Sequence, residues 1–420
     1  MHMAGDGAAL VVAAAPRRMR NADAAWPYRQ DSDFHYLTGF PEPDAVLALL
    51  SGRANGEVVL FCRERDPERE RLDGARVGPE DAVARYGVDD AFPVEDIDDI
   101  LPGMLEGRAR LYCHFGRENE FDAHLLRWLR RLRSSRGGAV VPREFIALGH
   151  LLHELRLYKS PAELALMRRA ARIAAAAQRA ALQAARPGVA EYEVEAALLH
   201  AMRVQGAVPS YPPTVAAGAN TCVMHYTANR GKLGRGDLLL IDAGAELECY
   251  ASDITRTWPV GGCFSREQRA LYGIVAEAQQ AAIGEVRAGR PFTAAHDAAT
   301  QVVVKGLCSL KLLAGGARSV MKSGEYKRFF PHKTGHWIGL DVHDVGDYRV
   351  DDQPRMLEKG MVVTVEPGIY IPPDDNSVPA KWRGLGIRIE DDVAVTVRGS
   401  EILTAELPKG LDDVQALCGA

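Results

Sequence analysis

The stretch GDLLLIDAGAELECYASDITRTWPV, residues 236–260, decides how the C-terminal half of this 420-residue chain is read. Gly236 and Asp237 make a turn, Leu238 to Ile241 run as unbroken apolar residues, and β-branched and aromatic residues return from Tyr250. That pattern predicts an antiparallel hairpin with little solvent on either strand. Facing residues in such a hairpin have position numbers of constant sum. A tip centred between Leu247 and Glu248 therefore sets Asp242 opposite Asp253, with Cβ atoms about 5 Å apart. Two carboxylates that close repel unless a cation lies between them. The alternative, a hairpin with two solvated acids, fits poorly with Asp242, which stands between Leu-Leu-Leu-Ile and Ala-Gly.

Three segments further on offer matching chemistry. PHKTGHWIGLDVHD (331–344) carries His332, His336 and His343. A lone histidine is usually a satisfied structural residue, but three in a glycine-punctuated apolar segment point to a site. His332 and His336 are four apart, as on one helix face, yet Gly335, Gly339 and the Val-Ile content predict loop and strand. The two are therefore not expected to bind the same ion. Glu366 lies in MVVTVEPGIYI (361–371), a buried-strand run broken by Pro367 and Gly368. Glu390 lies in GLGIRIEDDVAVT (384–396), where Arg388 and Glu390 alternate onto one face of a strand. Asp242, Asp253, His336, Glu366 and Glu390 thus form an ordered set, each in a segment read as a strand or strand end. Four carboxylates and one imidazole suit a pair of hard divalent ions better than a structural zinc, which prefers Cys and His. Two such ions sharing a water would make a nucleophile at neutral pH and polarise a scissile carbonyl or phosphoryl oxygen.

The stretches from His225 to Val260, HKTGHWIGLDVHDVG (332–346), VEPGIYI (365–371) and GIRIEDD (386–392) resemble the signature segments of the pita-bread metallopeptidases, and among them those of aminopeptidase P, the Xaa-Pro aminopeptidases. YRQDSDFHYLTGFPEPDAVL (28–47) resembles the amino-terminal domain of the same enzymes, so the likeness runs from about Leu10 to about Thr404. The resemblance implies an α/β N-terminal domain and an α+β pita-bread catalytic domain. It implies a dinuclear centre, usually manganese, with zinc or cobalt as alternatives. Asp242 would bind one ion, His336 and Glu366 the other, and Asp253 and Glu390 would bridge both. His225, His332 and His343 would face the substrate, Arg388 would stand behind Glu390, and Tyr370 would line the site. Glu366 would act as general base and then acid, and His343 or His225 would donate to the oxyanion. The implied reaction is release of an N-terminal residue that precedes proline. A prolidase, cutting only Xaa-Pro dipeptides, is the alternative, and an inactive binding protein of the same fold is disfavoured because every ligand position is filled. Gly335 and His35 depart from the pattern: many bacterial relatives carry Ser at the first position, and others an aromatic at the second. The segment before the first strand is also shorter than is common in the family.

Composition bounds the rest. At 420 residues two domains are expected, and 47% hydrophobic with 25% charged residues is the balance of a globular protein. A net charge of −5 gives no reason to expect nucleic acid, and the Arg-rich run LLRWLRRLRSSR from Leu125 reads as one exposed helix face. Seven scattered cysteines without CxxC pairs fit reduced thiols in a cytoplasm, and Cys249 beside the hairpin tip reads as packing, not as a ligand. The opening residues imitate a signal peptide, but their leading segment has an acid and no base, so AALVVAAAP reads as a first strand. No 18-residue apolar run predicts a membrane span. The family suggests homodimers or homotetramers.

The domain boundary is expected in HELRLYKSPAELALM (153–167), giving domains 1–154 and 155–420. Before it, the strands AVLALL, EVVLFC and ARLYCHF alternate with helices such as Asp122 to Arg133. After it, Ser160 and Pro161 start a long Ala-rich helix that reaches about Ala185. Further helices follow over Glu191–Gln205, Ser265–Arg287 and Thr293–Leu307. Each helix pair precedes ligand-bearing strands, a pseudo-two-fold helix-helix-strand duplication.

Overall fold

A computed structural model of the protein describes residues 1–134 and 139–419. Its chain divides into two compact units, Met1–Leu155 and Arg156–Ala420.

The first unit is built on a six-stranded sheet. Its strands are β1 (Ala8–Ala13), β2 (Val46–Leu50), β3 (Val58–Cys62), β4 (Asp90–Pro93), β5 (Arg110–Cys113) and β6 (Glu144–Ala147), in the order β4-β3-β2-β1-β5-β6. The central strand β1 runs antiparallel to β2 and parallel to β5. Its sequence AALVVA shows no alternation because both faces are covered. Leu10 and Val12 meet Phe34, Phe40 and Leu60 on one side, while Ala9 and Val11 meet Phe61, Leu111 and Trp128 on the other. The helices are α1 (Ser32–Thr38), α2 (Pro67–Asp73), α3 (Gly78–Tyr86), α4 (Ile97–Leu105) and α5 (Asn119–Ser134). The Asp31 carboxylate caps α1 by accepting from the N–H groups of Asp33 and Phe34. In α5, Leu125, Trp128, Leu129 and Leu132 face inward while Arg127, Arg130 and Arg133 are exposed, the helix face expected of that run. Its last positions, 135 and 136, lie outside the described residues. A helix α6 (Gly149–Leu157) carries the chain into the second unit.

The second unit opens with α7 (Pro161–Ala184), begun by a capping box between Ser160 and Glu163. Ala170, Ala174, Ala177 and Ala181 recur at helical spacing and are buried, so the Ala-rich sequence is a close-packing surface that lies against α8 (Glu191–Arg203). Strands β7 (Val208–Pro209), β8 (Thr214–Ala217), β9 (Leu238–Asp242), β10 (Ala245–Leu247), β11 (Tyr250–Ala251) and β12 (Thr255–Pro259) follow. The order then repeats. A second packed pair, α9 (Arg266–Glu285) and α10 (Thr293–Ser309), leads to a second strand set: β13 (Arg349–Val350), β14 (Gln353–Pro354), β15 (Val362–Val365), β16 (Gly368–Ile371), β17 (Leu385–Arg388), β18 (Asp391–Thr396) and β19 (Gly399–Ile402). Sheets β12-β9-β8, β15-β18-β19 and β16-β17 form the interior. Among the described residues no helix is long and apolar enough to cross a membrane.

The hairpin forms, with a register that differs from the expectation. Leu247 pairs with Tyr250 and Asp242 pairs with Thr255, so the tip lies between Glu248 and Cys249. Both tip residues have positive φ, 51° and 66°, the signature of a two-residue type I′ turn whose twist matches the strands. Neither Glu nor Cys advertises that conformation, which Asn-Gly would have done. The partner of Asp242 shifts by two positions, an even step that keeps Asp253 on the same face, now diagonal to Asp242. The register sets Gly244 across from Asp253, where a Cβ would fall 1.7 Å from the Ser252 carbonyl oxygen. Only glycine lets the strands approach so closely there.

Candidate metal centre

Asp242 ends β9, Asp253 stands between β11 and β12, Glu366 follows β15, and Glu390 stands between β17 and β18. His336 stands in a segment that is not a regular strand but runs antiparallel beside β15, with one bridge, Trp337 to Val363. The Glu366 N–H donates to the Thr334 carbonyl at 2.8 Å, the Thr364 N–H to the His336 carbonyl at 2.9 Å and the Ile338 N–H to the Val362 carbonyl at 3.2 Å. A Cβ at Gly335 would sit 2.0 Å from the Thr364 carbonyl oxygen, so glycine is what lets the segment pass this close to β15.

All five side chains open into one cavity of about 890 Å³, as do His225, His332, His343 and Arg388. Donor atoms of Asp253, His336 and Glu390 lie within 4.8 Å of one another. His336 Nε2 is 3.5 Å from Asp253 Oδ2 and 3.8 Å from Glu366 Oε1. Its Nδ1–H donates to the Trp337 carbonyl oxygen at 2.9 Å, which turns Nε2 toward the acids, the nitrogen a cation would take once its proton is displaced.

Arg388 stands behind the acids and bonds to Asp242 directly and to Glu390 through Thr255. Its Nη2 donates to Asp242 Oδ2 at 2.5 Å, and Thr255 relays it to Glu390. Thr255 Oγ1 accepts from Arg388 Nε at 3.1 Å and donates to Glu390 Oε2 at 2.6 Å. Arg388 Nη1 donates to the Tyr370 hydroxyl at 2.8 Å, so that hydroxyl gives its proton to His332 Nε2, 3.0 Å away. His332 Nδ1 completes the chain at the Lys333 carbonyl, 2.7 Å away. Both ring nitrogens of His332 are thus engaged, and burial pushes its pKa down to about 4, so the ring is neutral.

Four carboxylates face one guanidinium here, and the charges show the surplus. Burial, reinforced by neighbouring acids, brings the Glu366 carboxyl up to about 7 and holds Glu390 well above the ordinary range. Burial alone would push the His336 imidazole down, yet Asp253 outweighs it and brings the ring up to about 9. The Tyr211 hydroxyl touches both Asp242 Oδ1 and Asp253 Oδ1, and one phenolic proton cannot serve two carboxylates. An oxygen-rich pocket with excess negative charge and one correctly presented imidazole fits divalent cations.

Tyr211, Thr255 and His296 belong to this site and were not picked out from the sequence. Tyr211 lies among prolines in PSYPP, a rigid-loop signal that names no partner. His296, on α10, lines the cavity with its Nδ1 2.9 Å from Thr334 Oγ1. Behind the site, Asp391 pairs with the fully buried Arg256 at 2.8 Å and with Lys409 Nζ at 2.5 Å, tying β18 to β12.

Residues 165–397 match the model of metallopeptidase family M24, and residues 1–112 that of the aminopeptidase P N-terminal domain. The chain is 42% identical to the Xaa-Pro aminopeptidase of Escherichia coli (strain K12), over 98% of this chain and 93% of that one. Its fold superposes on Pseudomonas aeruginosa aminopeptidase PepP with a TM-score of 0.97 at 52% identity, covering 99% of this chain and 94% of that one. Escherichia coli aminopeptidase P, solved with the inhibitor Pro-Leu, gives a TM-score of 0.95 at 42% identity, covering 98% and 94%. This chain belongs to metallopeptidase family M24, in its aminopeptidase P branch with the matching N-terminal domain.

Proposed function

We propose that the protein is a metal-dependent exopeptidase that releases an N-terminal residue from peptides with proline in second position. The observation that carries this reading is the convergence of Asp242, Asp253, His336, Glu366 and Glu390 on one cavity in a chain so similar to Xaa-Pro aminopeptidases. Asp242 would hold one divalent ion, His336 and Glu366 a second, and Asp253 and Glu390 would bridge them. When bound, such ions polarise the scissile carbonyl and lower the pKa of a water from 15.7 toward about 7. The hard oxygen donors favour manganese over softer metals.

The protein's own groups do the rest. Glu366 takes the proton of the attacking water and returns it to the proline nitrogen as the bond breaks. His343 or His225 donates to the developing oxyanion. His332 has no proton to offer, since Tyr370 and the Lys333 carbonyl occupy its nitrogens, so its ring serves as a wall for the pyrrolidine. An Xaa-Pro bond is a tertiary amide without N–H, and a wall that reads ring shape suits it better than a backbone acceptor. A cavity of about 890 Å³ has room well beyond a dipeptide, which favours an aminopeptidase over a prolidase. Scattered thiols support a cytoplasmic location, and the family supports a homodimer or homotetramer.

Hydrolysis of Arg-Pro-Pro and of Gly-Pro, each with added manganese, tests the reading. Release of arginine from the tripeptide is expected. Cleavage confined to Gly-Pro would make it a prolidase, and no cleavage of either would refute the assignment. Arg-Ala-Ala cut as fast as Arg-Pro-Pro would mean a general aminopeptidase.

A further inference from the structure

Arg156, Lys159 and Asp344 form a charged cluster in the second unit that the reaction as described does not use. They are 1%, 5% and 6% exposed. Asp344 directly follows His343, yet its partners lie 188 and 185 positions away in sequence. Arg156 Nη2 donates to Asp344 Oδ1 at 2.5 Å, and Lys159 Nζ donates to Oδ2 at 2.9 Å. The same Nη2 also reaches Asp341 Oδ2 at 2.8 Å. Backbone bonds close the turn that these charges hold. The Asp344 N–H donates to the Trp337 carbonyl at 2.9 Å, and the Lys159 N–H to the Gly360 carbonyl at 2.8 Å. Residues 337–344 thus make a closed loop with His336 at one stem and His343 at the other, their ring centroids 4.1 Å apart. A Cβ at Gly339 would lie 2.2 Å from Asp344 Oδ2 and 2.7 Å from Lys159 Cε. The glycine is the opening through which the lysine reaches its partner.

A buried ion pair is a weak route to stability, because desolvation offsets the Coulomb gain. A carboxylate gripped at both oxygens by two cations does gain a fixed orientation, and so does the chain beside it. We propose that Lys159 and Arg156 are positioning residues for His343: by locking Asp344 they hold the 337–344 loop so that the His343 ring faces the scissile carbonyl. The inference rests on His343 being a donor to the reacting carbonyl.

The test uses the full-length, manganese-loaded protein with Arg-Pro-Pro, measuring kcat and KM for Lys159→Met, Lys159→Arg, His343→Ala and the double variant Lys159→Met with His343→Ala. Misplacing a reacting group by about 1 Å can cost about 10²-fold. Lys159→Met is therefore expected to lower kcat on the order of 10- to 10²-fold, with KM and bound manganese unchanged. Lys159→Arg should recover most of the loss. In the His343→Ala background, Lys159→Met should cost little more, because the group it positions is gone. Fully additive losses, or a wild-type kcat for Lys159→Met, would overturn the proposal. Loss of manganese would overturn it too, since the clamp would then serve His336. Full turnover by His343→Ala would instead remove the reading of His343 and the proposal with it. Should Lys159→Met fail to fold, Asp344→Asn takes its place with the same outcomes.

Discussion

Asp253 and Glu390 are 5% and 2% exposed and sit beside strands, whereas His225 and His343, lining the same cavity, are exposed on loops. The acids are gripped by the sheets themselves: the Asp253 N–H donates to Asp392 Oδ2 at 3.0 Å, the Glu390 N–H to the Thr255 carbonyl at 3.0 Å, and Thr255 also holds the Glu390 carboxylate. The histidines depend on the loops that carry them. A rigid anionic side can fix cations, while the imidazole side presents its rings from loops, His343 on one anchored by the Asp344 ion pairs. The two sides should therefore fail differently when cut.

The largest effect is expected for Asp253→Ala or Glu390→Ala, with activity falling to background because each bridging carboxylate would hold both ions. Metal analysis alongside kinetics checks this, and a variant with normal turnover would break the contrast at once. Next comes the scaffold behind the acids. Removing the Asp391 carboxylate leaves Arg256 buried and unpaired, so Asp391→Ala should cost about 3–5 kcal/mol of stability. Burial opposes ionisation of Asp391, but Arg256 and Lys409 outweigh it and hold its carboxyl below the ordinary range. A depressed folded-state pKa contributes stability above the unfolded value, about 3.9, that is lost as pH falls through the folded one. Denaturation of wild type and variant from pH 7 to 3 should show the gap narrowing only below about pH 4. A gap independent of pH would show that charge is not what Asp391 contributes.

On the histidine side, His343→Ala should lower turnover about 10²–10³-fold, as loss of one oxyanion donor does. It should also leave bound metal intact. Steady-state kinetics with metal analysis separates it from the acids, and a His343→Ala variant that loses its ions would erase the distinction. The smallest effect is one of protons. In the ion-free site Glu366 is raised to about 7 and His336 to about 9, so both hold protons below pH 7 that cations must displace. Manganese affinity should rise with pH up to about 9, and calorimetry at pH 6.5 in two buffers should detect proton release. Uptake without release would contradict the crowding of these acids.

The sequence made the helix-helix-strand repeat and the five candidate ligands legible because each rests on local signals: caps, apolar periodicity and acids inside buried runs. It misplaced the hairpin tip by one position, since Glu248 and Cys249 adopt a left-handed turn that their side chains do not announce. The His336 segment read as loop and strand from Gly335, Gly339 and its Val-Ile content, and it lies hydrogen-bonded beside β15 with a single bridge, Trp337 to Val363. Tyr211, the relay from Arg388 through Thr255, and the Lys159–Asp344 pair depend on residues 31 to 185 positions apart. No window on a single sequence couples positions so distant.

The tight passage at Gly335 also bears on how the site can change over time. A Cβ there would press on the Thr364 carbonyl oxygen, a backbone atom that no rotamer can move aside. A serine there is thus not one step away for this chain. Its arrival would be penalised until a second replacement had let β15 retreat, so the order of substitutions is constrained. Laboratory selection starting from this sequence should find Gly335 nearly immutable at first and permissive only in lineages already altered around Thr364.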